Sequence, residues 1–394
     1  MEWLQTKWHK MKWRGKLMKC FKDGGIVKTV KHGSHRNEYY PTIHNIDIDL
    51  KKKNYRFVFT LKNGMNPELV LNNTWLFKQT FGENIELSGK YKRFILSVYS
   101  KGMPTKVNYD FKKIEPCMEK ALVPIVTGYD NQNVLNVLDL KKLHHIMLTG
   151  STGAGKSSLF RSMICSLIFN KTPEEIQFIM SDLKNSEFGM FRNIPHVKCI
   201  HMEQKPLLAE LRAVETEMKH RSKLLDQYDV EHVSELEEKL PIIMIVIDEV
   251  FLLTDNDKIM KILTNISCLG RSASIHLILA MQRSAAKELG GQLLNNMNGR
   301  ISGKQSNEVN AKIAGLKSSK DITIAGRMAL SINGEERFIQ VPFLDKKEAK
   351  KLLEPYKIEL VPDENNDIEV AVEPLENLIA PDIAQLPTIG GIRK

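Results

Sequence analysis

Apolar residues fall along this chain in two rhythms, and the rhythm changes near residue 121. Before that point they alternate with polar ones. Ile46-Asp47-Ile48-Asp49-Leu50 and Tyr55 to Leu61 repeat every second residue, and Phe94 to Tyr99 is a third run of the same kind. Period two with one apolar face predicts half-buried strands. Between them, Leu69, Leu71, Trp75 and Leu76 predict a helix within Pro67 to Phe81. Residues 25–120 therefore read as a small, β-rich α+β domain. After residue 121 the apolar runs are short and continuous: Ile146 to Leu148, Ile176 to Met180, Ile242 to Ile247 and Ile275 to Met281. Val197 to Ile200 and Arg337 to Phe343 are further strand candidates. Continuous apolar runs mark strands covered on both faces, as in a mostly parallel sheet. Helical periods lie between them, the longest over Pro206 to Tyr228, with Leu207, Leu208, Leu211, Val214, Met218, Leu224 and Leu225 on its apolar face. The expected class is α/β, with a P-loop core over 121–345.

The two ends differ from the middle. Residues 1–24 hold three of the four tryptophans, and the first 22 carry seven Lys/Arg against one acid. Trp3, Leu4, Trp8 and Met11 share a helical face, which Leu17, Met18 and Phe21 continue less regularly. Such a helix can lie on an anionic membrane surface, contact a nucleic-acid backbone, dock on a partner, or pack its tryptophans on the next domain. Residues 346–394 turn acidic and proline-bearing from Glu354 onward, which predicts an extended tail. The net charge of +10 fits nucleic acid or an anionic surface without selecting either. Five scattered cysteines with no C-x-x-C pair point to a reducing compartment and away from a disulfide framework or zinc site. His32, His35 and His44 lack metal-ligand spacing. No run is long enough to span a bilayer and no signal peptide shows, so the expected location is cytoplasmic, or peripheral to a membrane.

The chemistry gathers at LTGSTGAGKSSL, residues 148–159. An apolar strand runs into a glycine-rich turn and then a helix. Backbone N–H groups and the helix dipole make such a turn a socket for phosphate. Gly150, Ser151, Thr152, Gly153, Ala154, Gly155, Lys156, Ser157 and Ser158 form the expected ATP cradle. In it Lys156 reaches the β/γ-phosphates and Ser157 ligates Mg²⁺. The run Ile242 to Ile247 ends in Asp248-Glu249, where ligands bind in open α/β sheets. Asp248 is placed to hold the Mg²⁺ shell and Glu249 to polarise the attacking water. Ile275 to Met281 ends in Gln282, whose amide can sense the γ-phosphate, while His276 inside that run reads as a core histidine. Arg271 and Arg300 are candidates for a finger reaching a neighbouring subunit's nucleotide, or for surface ion pairs.

An ordered set of stretches resembles the FtsK/SpoIIIE-type DNA translocases, in the RecA-like/HerA branch of P-loop ATPases. The stretches are Gly128-Tyr129-Asp130, the phosphate-loop strand from Leu143, Asp182-Leu183-Lys184, and Ile194-Pro195-His196. Glu217 to Arg221, Arg271 through Gln282-Arg283, and Asn298-Gly299-Arg300-Ile301 complete it. The resemblance implies a RecA-like motor that assembles as a homo-hexamer, hydrolyses ATP at subunit interfaces and pulls double-stranded DNA through the ring. It places Arg271 where a trans-acting arginine is expected. Ala325-Gly326-Arg327-Met328 departs from the family's more acidic stretch. Neither a membrane-spanning N-terminus nor a DNA-reading C-terminal domain is recognisable, which favours a translocase of a plasmid, conjugative element or phage. Two other readings stand beside it: a secretion ATPase, against which the single P-loop counts, and a nucleotide-gated adaptor, against which Lys156, Asp248 and Glu249 count.

Overall fold

The computed structural model describes residues 2–32, 35–50, 53–282, 289–332 and 334–358. The chain divides into two compact units, one of residues 1–104 with 129–134, the other of residues 105–128 with 135 onward.

The first unit is built on a four-stranded antiparallel sheet, in the order Thr42–Asp49, Asn54–Thr60, Arg93–Val98 and Ile85–Gly89. Phe57, Phe59, Phe94 and Leu96 are its buried face. The helices Glu2–Asp23 and Thr74–Phe81 contribute Leu17, Cys20, Phe21 and Phe77 to the same core. The first helix therefore belongs to this fold, and its buried stripe is Trp13, Leu17, Cys20 and Phe21. Trp13 packs on Tyr55 at 4.1 Å between ring centroids and stacks on Phe81 at 5.7 Å. Of the expected face, Leu17 and Phe21 are buried and Met18 packs against the core, whereas Trp8 and Met11 are exposed and the side chains of Trp3 and Leu4 lie outside the described residues. Successive apolar residues at spacings of three and four exist on both stripes. The sheet's aromatic face selects the one that is longer toward the helix C-terminus.

The second unit contains a ten-stranded sheet. Six strands run parallel in the order Val197–His201, Ile176–Ser181, Ile242–Ile247, Ile275–Met281, Ile146–Thr149 and Gly299–Ser302. Antiparallel strands Arg327–Ile332 and Glu335–Gln340 follow, then Pro124–Tyr129 and Leu135–Asp139. The strand Ile242–Ile247 sends Ile242, Met244 and Val246 into one core and Ile243, Ile245 and Ile247 into the other. That double burial is why the run is apolar at every position. The first core is covered by the helix Lys156–Asn170 through Leu159, Phe160 and Met163. The second is covered by Gln204–Tyr228 and Asp257–Leu269. Registers pairing Thr149 with Met281 and Ser302, and Ile247 with Leu279 and Ser181, bring the carboxyl ends of five strands to one edge.

Three boundaries differ from the expected ones. Tyr109, Ile114 and Met118 are buried in the second unit's core, so the chain joins that unit at Thr105 rather than 121. The segment Arg337 to Phe343 is two strands: Glu335–Gln340, and Pro342–Phe343, which pairs in parallel with Val107–Asn108. Residues 346–353 form a helix capped by Asp345, whose carboxylate accepts from the Glu348 N–H at 2.8 Å, with Ala349 and Leu353 buried. The acidic, proline-bearing stretch 359–394 lies outside the described residues. No described helix is long and apolar enough to cross a membrane.

Candidate nucleotide-binding site

The phosphate loop leaves the sheet after Thr149 and enters the helix at Lys156. Gly153 and Gly155 have φ of 80° and 104°, the left-handed region that a side chain disfavours. At Gly155 a Cβ would also come within 2.9 Å of the Gly326 backbone. The loop is fixed from both sides. Ser151 N–H donates to the Lys304 carbonyl at 2.9 Å, Gly303 N–H to Thr149 at 3.0 Å, and Gly326 N–H to Ala154 at 3.2 Å. A glycine-rich turn so held, opening a helix of 15 residues, presents fixed N–H groups to an anion.

Lys156 is buried, and its ammonium donates to the Gly150 carbonyl across the loop. Burial draws its pKa down to about 8, opposed by the charges of Glu249 and Asp248. Asp248 follows its strand at the same sheet edge. Burial, then the nearby Glu187, Asp182 and Glu249, push its pKa up to about 6. Glu249 is tied at both oxygens: Lys184 Nζ lies 2.8 Å from Oε2, and the Gln282 N–H donates to Oε1 at 3.2 Å. Ser157 Oγ donates to Glu187 Oε1 at 2.5 Å. A crowded set of carboxylate and hydroxyl oxygens beside a phosphate socket is the donor set of a hard divalent cation, and Ser157 with Asp248 fits Mg²⁺.

A cavity of about 510 Å³ opens over these groups. Ser151, Thr152, Gly153, Gly155, Lys156, Ser157 and Ser158 line it, with Asp248 and Gln282. Gly150, Ala154 and Glu249 stand just behind that lining: Gly150 and Ala154 in the loop itself, Glu249 bonded to Gln282. Arg271 does not join them. It is exposed and precedes Ile275, at the amino end of a strand whose carboxyl end bears Gln282. Arg300 does not join them either. Its guanidinium donates to the carbonyls of Met297 at 3.2 Å and Leu294 at 2.8 Å, closing the end of the helix Gly291–Asn296. Arg283 lies outside the described residues.

Sequence reasoning missed Glu187, Arg161, Gln340 and Phe343, which also line the cavity. Glu187 follows Asp182-x-Lys184 by three residues, and an acid so close to a strand's carboxyl end was the available signal. Gln340 and Phe343 arrive from more than 180 residues beyond the loop, and nothing local marks them.

Sheet, loop and carboxylates together define a P-loop α/β nucleotide-binding domain. Residues 116–240 match the family model described as FtsK/SpoIIIE family, so the chain carries a domain of that family. The DNA translocase FtsK of Helicobacter pylori (strain J99) is 30% identical over 197 residues, which is 47% of this chain and 23% of that protein. FtsK of Borreliella burgdorferi is 33% identical over 193 residues, 46% of this chain and 24% of that one. The chain thus matches about a quarter of the length of these curated relatives. Among solved structures, the pCW3 conjugation coupling protein TcpA, in its monomer form with ATPγS, shares the fold at a TM-score of 0.58 and 21% identity. That match covers 81% of this chain and 94% of TcpA.

Proposed function

We propose that this chain is an ATP-hydrolysing motor that moves double-stranded DNA, working as a homo-hexameric ring in the transfer, replication or packaging of a mobile element. The observation that carries it is the meeting of Lys156, Asp248, Glu249 and Gln282 at one sheet edge around the phosphate loop. In this reading the loop N–H groups and Lys156 hold the β- and γ-phosphates. Ser157 and Asp248 hold Mg²⁺, which when bound neutralises charge on the phosphates. Glu249 accepts the proton of the attacking water, and Gln282, bonded to it through its N–H, couples the base to the strand end. Duplex DNA as substrate is supported by the family of residues 116–240 and by where the charge lies. Residues 1–104 carry 20 Lys/Arg against 8 Asp/Glu, while the remaining 290 are close to neutral. A basic unit in the same chain as a near-neutral catalytic one suits a polyanion held by its backbone. Location in the cytoplasm, with the basic unit also able to meet an anionic membrane surface, is part of the same proposal.

The test is ATPase rate with and without duplex DNA, alongside the mass of the assembly. Stimulation by duplex DNA and a hexameric mass are expected. ATPase activity that ignores DNA but responds to a polypeptide would replace this reading with that of a secretion motor.

A further inference from the structure

The mechanism above leaves one acidic residue in the cavity without a role. Glu187 stands in the turn after the strand Ile176–Ser181, and that turn is built to hold it. Asp182 is buried, and its carboxylate accepts the N–H groups of Ser186 at 3.0 Å, Glu187 at 3.0 Å and Phe188 at 2.9 Å. Asp182 is thereby spent on the turn and leaves Glu187 to face the loop. Phe188, next in the chain, is buried edge-on against Phe160 at 5.4 Å, which anchors the backbone behind Glu187. The Glu187 side chain is then held at both oxygens. Oε2 pairs with Arg161 Nη1 at 3.1 Å, and Arg161 is itself fixed by donating from Nε to the Leu344 carbonyl at 2.7 Å. Oε1 accepts the hydroxyl of Ser157.

We propose that Glu187 is a positioning residue for the nucleotide's divalent cation: it takes the Ser157 hydroxyl proton as a hydrogen bond, so that the serine oxygen is left with only lone pairs to offer the metal, and Arg161 holds Glu187 to that task. The inference rests on the proposed nucleotide site. A serine hydroxyl is both donor and acceptor and rotates to suit its neighbours. A ligand that must accept nothing and donate its lone pairs benefits from a partner that fixes its proton, as carboxylates do for metal-bound histidines. A simple surface ion pair between Arg161 and Glu187 needs neither the serine nor the cavity. Here the pair is only 13% and 19% exposed, lines the cavity and ends on the side chain that follows Lys156.

The test uses the full chain and a fluorescent ATP analogue, titrated with Mg²⁺ and, by the loss of free-ion resonance signal, with Mn²⁺. Glu187→Ala should raise the metal concentration at half-saturation by about 10–100-fold, the usual effect of removing an outer-shell partner. Analogue binding in excess chelator, which reads the loop and Lys156, should change by less than about twofold if the role is confined to the metal. Glu187→Gln keeps the volume and is the second variant, expected to shift the metal midpoint in the same direction by less. Equal losses with and without metal would assign Glu187 to loop structure, and an unchanged metal midpoint in both variants would also overturn the proposal. Wild-type protein that binds no analogue at all would instead remove the nucleotide-site reading beneath it.

Discussion

In the proposed mechanism Lys156 and Glu249 have different tasks, and their losses should look different. Lys156 is a buried cation near carboxylates and lines the cavity where the proposed mechanism puts the phosphates. Lys156→Ala is expected to weaken nucleotide binding at least about tenfold, since a charge-assisted contact contributes on the order of 1.5–3 kcal/mol. Glu249→Gln keeps shape and the Gln282 N–H contact but replaces a base with an amide. It should bind nucleotide normally and lose about 10²–10⁴ in turnover, the range of general-base contributions. Binding by fluorescence and single-turnover hydrolysis separate the two. Near-normal turnover by Glu249→Gln would remove it as the base. These residues are legible in the sequence because each is punctuated: Lys156 by glycines, Asp248, Glu249 and Gln282 by the apolar runs they close. Glu187 is not, because its place depends on how Asp182 folds the intervening turn, and Lys184 appears in the pattern without its partner. Arg300 reads like Arg271 in sequence, and only the carbonyls of Leu294 and Met297 show that it is committed elsewhere.

At the scale of elements, the parallel strands are legible because burial on both faces leaves no polar gap, whereas the strand Ile85–Gly89 and the pair Lys28–His32 and His35–Tyr39 carry too few apolar residues to announce themselves. The long helix Gln204–Tyr228 shows a further limit. Its Glu217 to Arg221 stretch belongs to the resemblance read from the sequence, yet Arg221 is not among the residues that line the cavity. Arg221 is 1% exposed, pairs with Glu217 at 2.7 Å and donates to the carbonyls of Pro241 at 2.9 Å and Ala273 at 2.7 Å. Those carbonyls precede the strands Ile242–Ile247 and Ile275–Met281, so one guanidinium joins a helix to two central strands. Arg221→Ala should cost about 3–5 kcal/mol in chemical denaturation, because it strands a partly buried carboxylate and two carbonyls around a fully buried site. A cost below about 1 kcal/mol would show that water replaces it. The start of the last of those strands holds a second such device. His145 and His276 are buried, with rings 6.4 Å apart, and burial lowers their pKa values to about 3 and about 4. Both are neutral in the fold, whereas the unfolded chain protonates near pH 6.5. Stability from the pair is complete above pH 6.5 and should fall as pH drops toward 4, by up to about 1.4 kcal/mol per unit for each histidine. Replacing His276 with Gln should flatten that part of the stability–pH curve. An unchanged slope would place the protons elsewhere.

The proposed chemistry lies at the carboxyl edge of the large sheet, and Arg271 lies at the other. The strand Ile275–Met281 between Arg271 and Gln282 is seven residues, about 23 Å at the usual rise. Arg271 therefore does not reach its own chain's phosphate loop, and a role in catalysis requires a second chain. In the proposed ring, the guanidinium of one subunit would stabilise charge growing on the γ-phosphoryl oxygens held by the next. Such fingers contribute on the order of 10³–10⁵ in rate in other NTPases. Arg271→Ala should then bind nucleotide and fail to hydrolyse it, and wild-type activity should rise steeply with protein concentration or on adding duplex DNA that gathers subunits. Mixing supplies the test. Arg271→Ala and Glu249→Gln are each expected to be inactive alone. A mixed assembly contains interfaces where Glu249 of one subunit meets Arg271 of its neighbour, both intact. Subunit exchange is followed by energy transfer between labelled chains, and hydrolysis is measured on the same sample. Activity returning in proportion to mixed interfaces supports a shared site. Exchange without activity, at every mixing ratio, would separate Arg271 from hydrolysis and leave it as an exposed residue at the amino edge of the sheet.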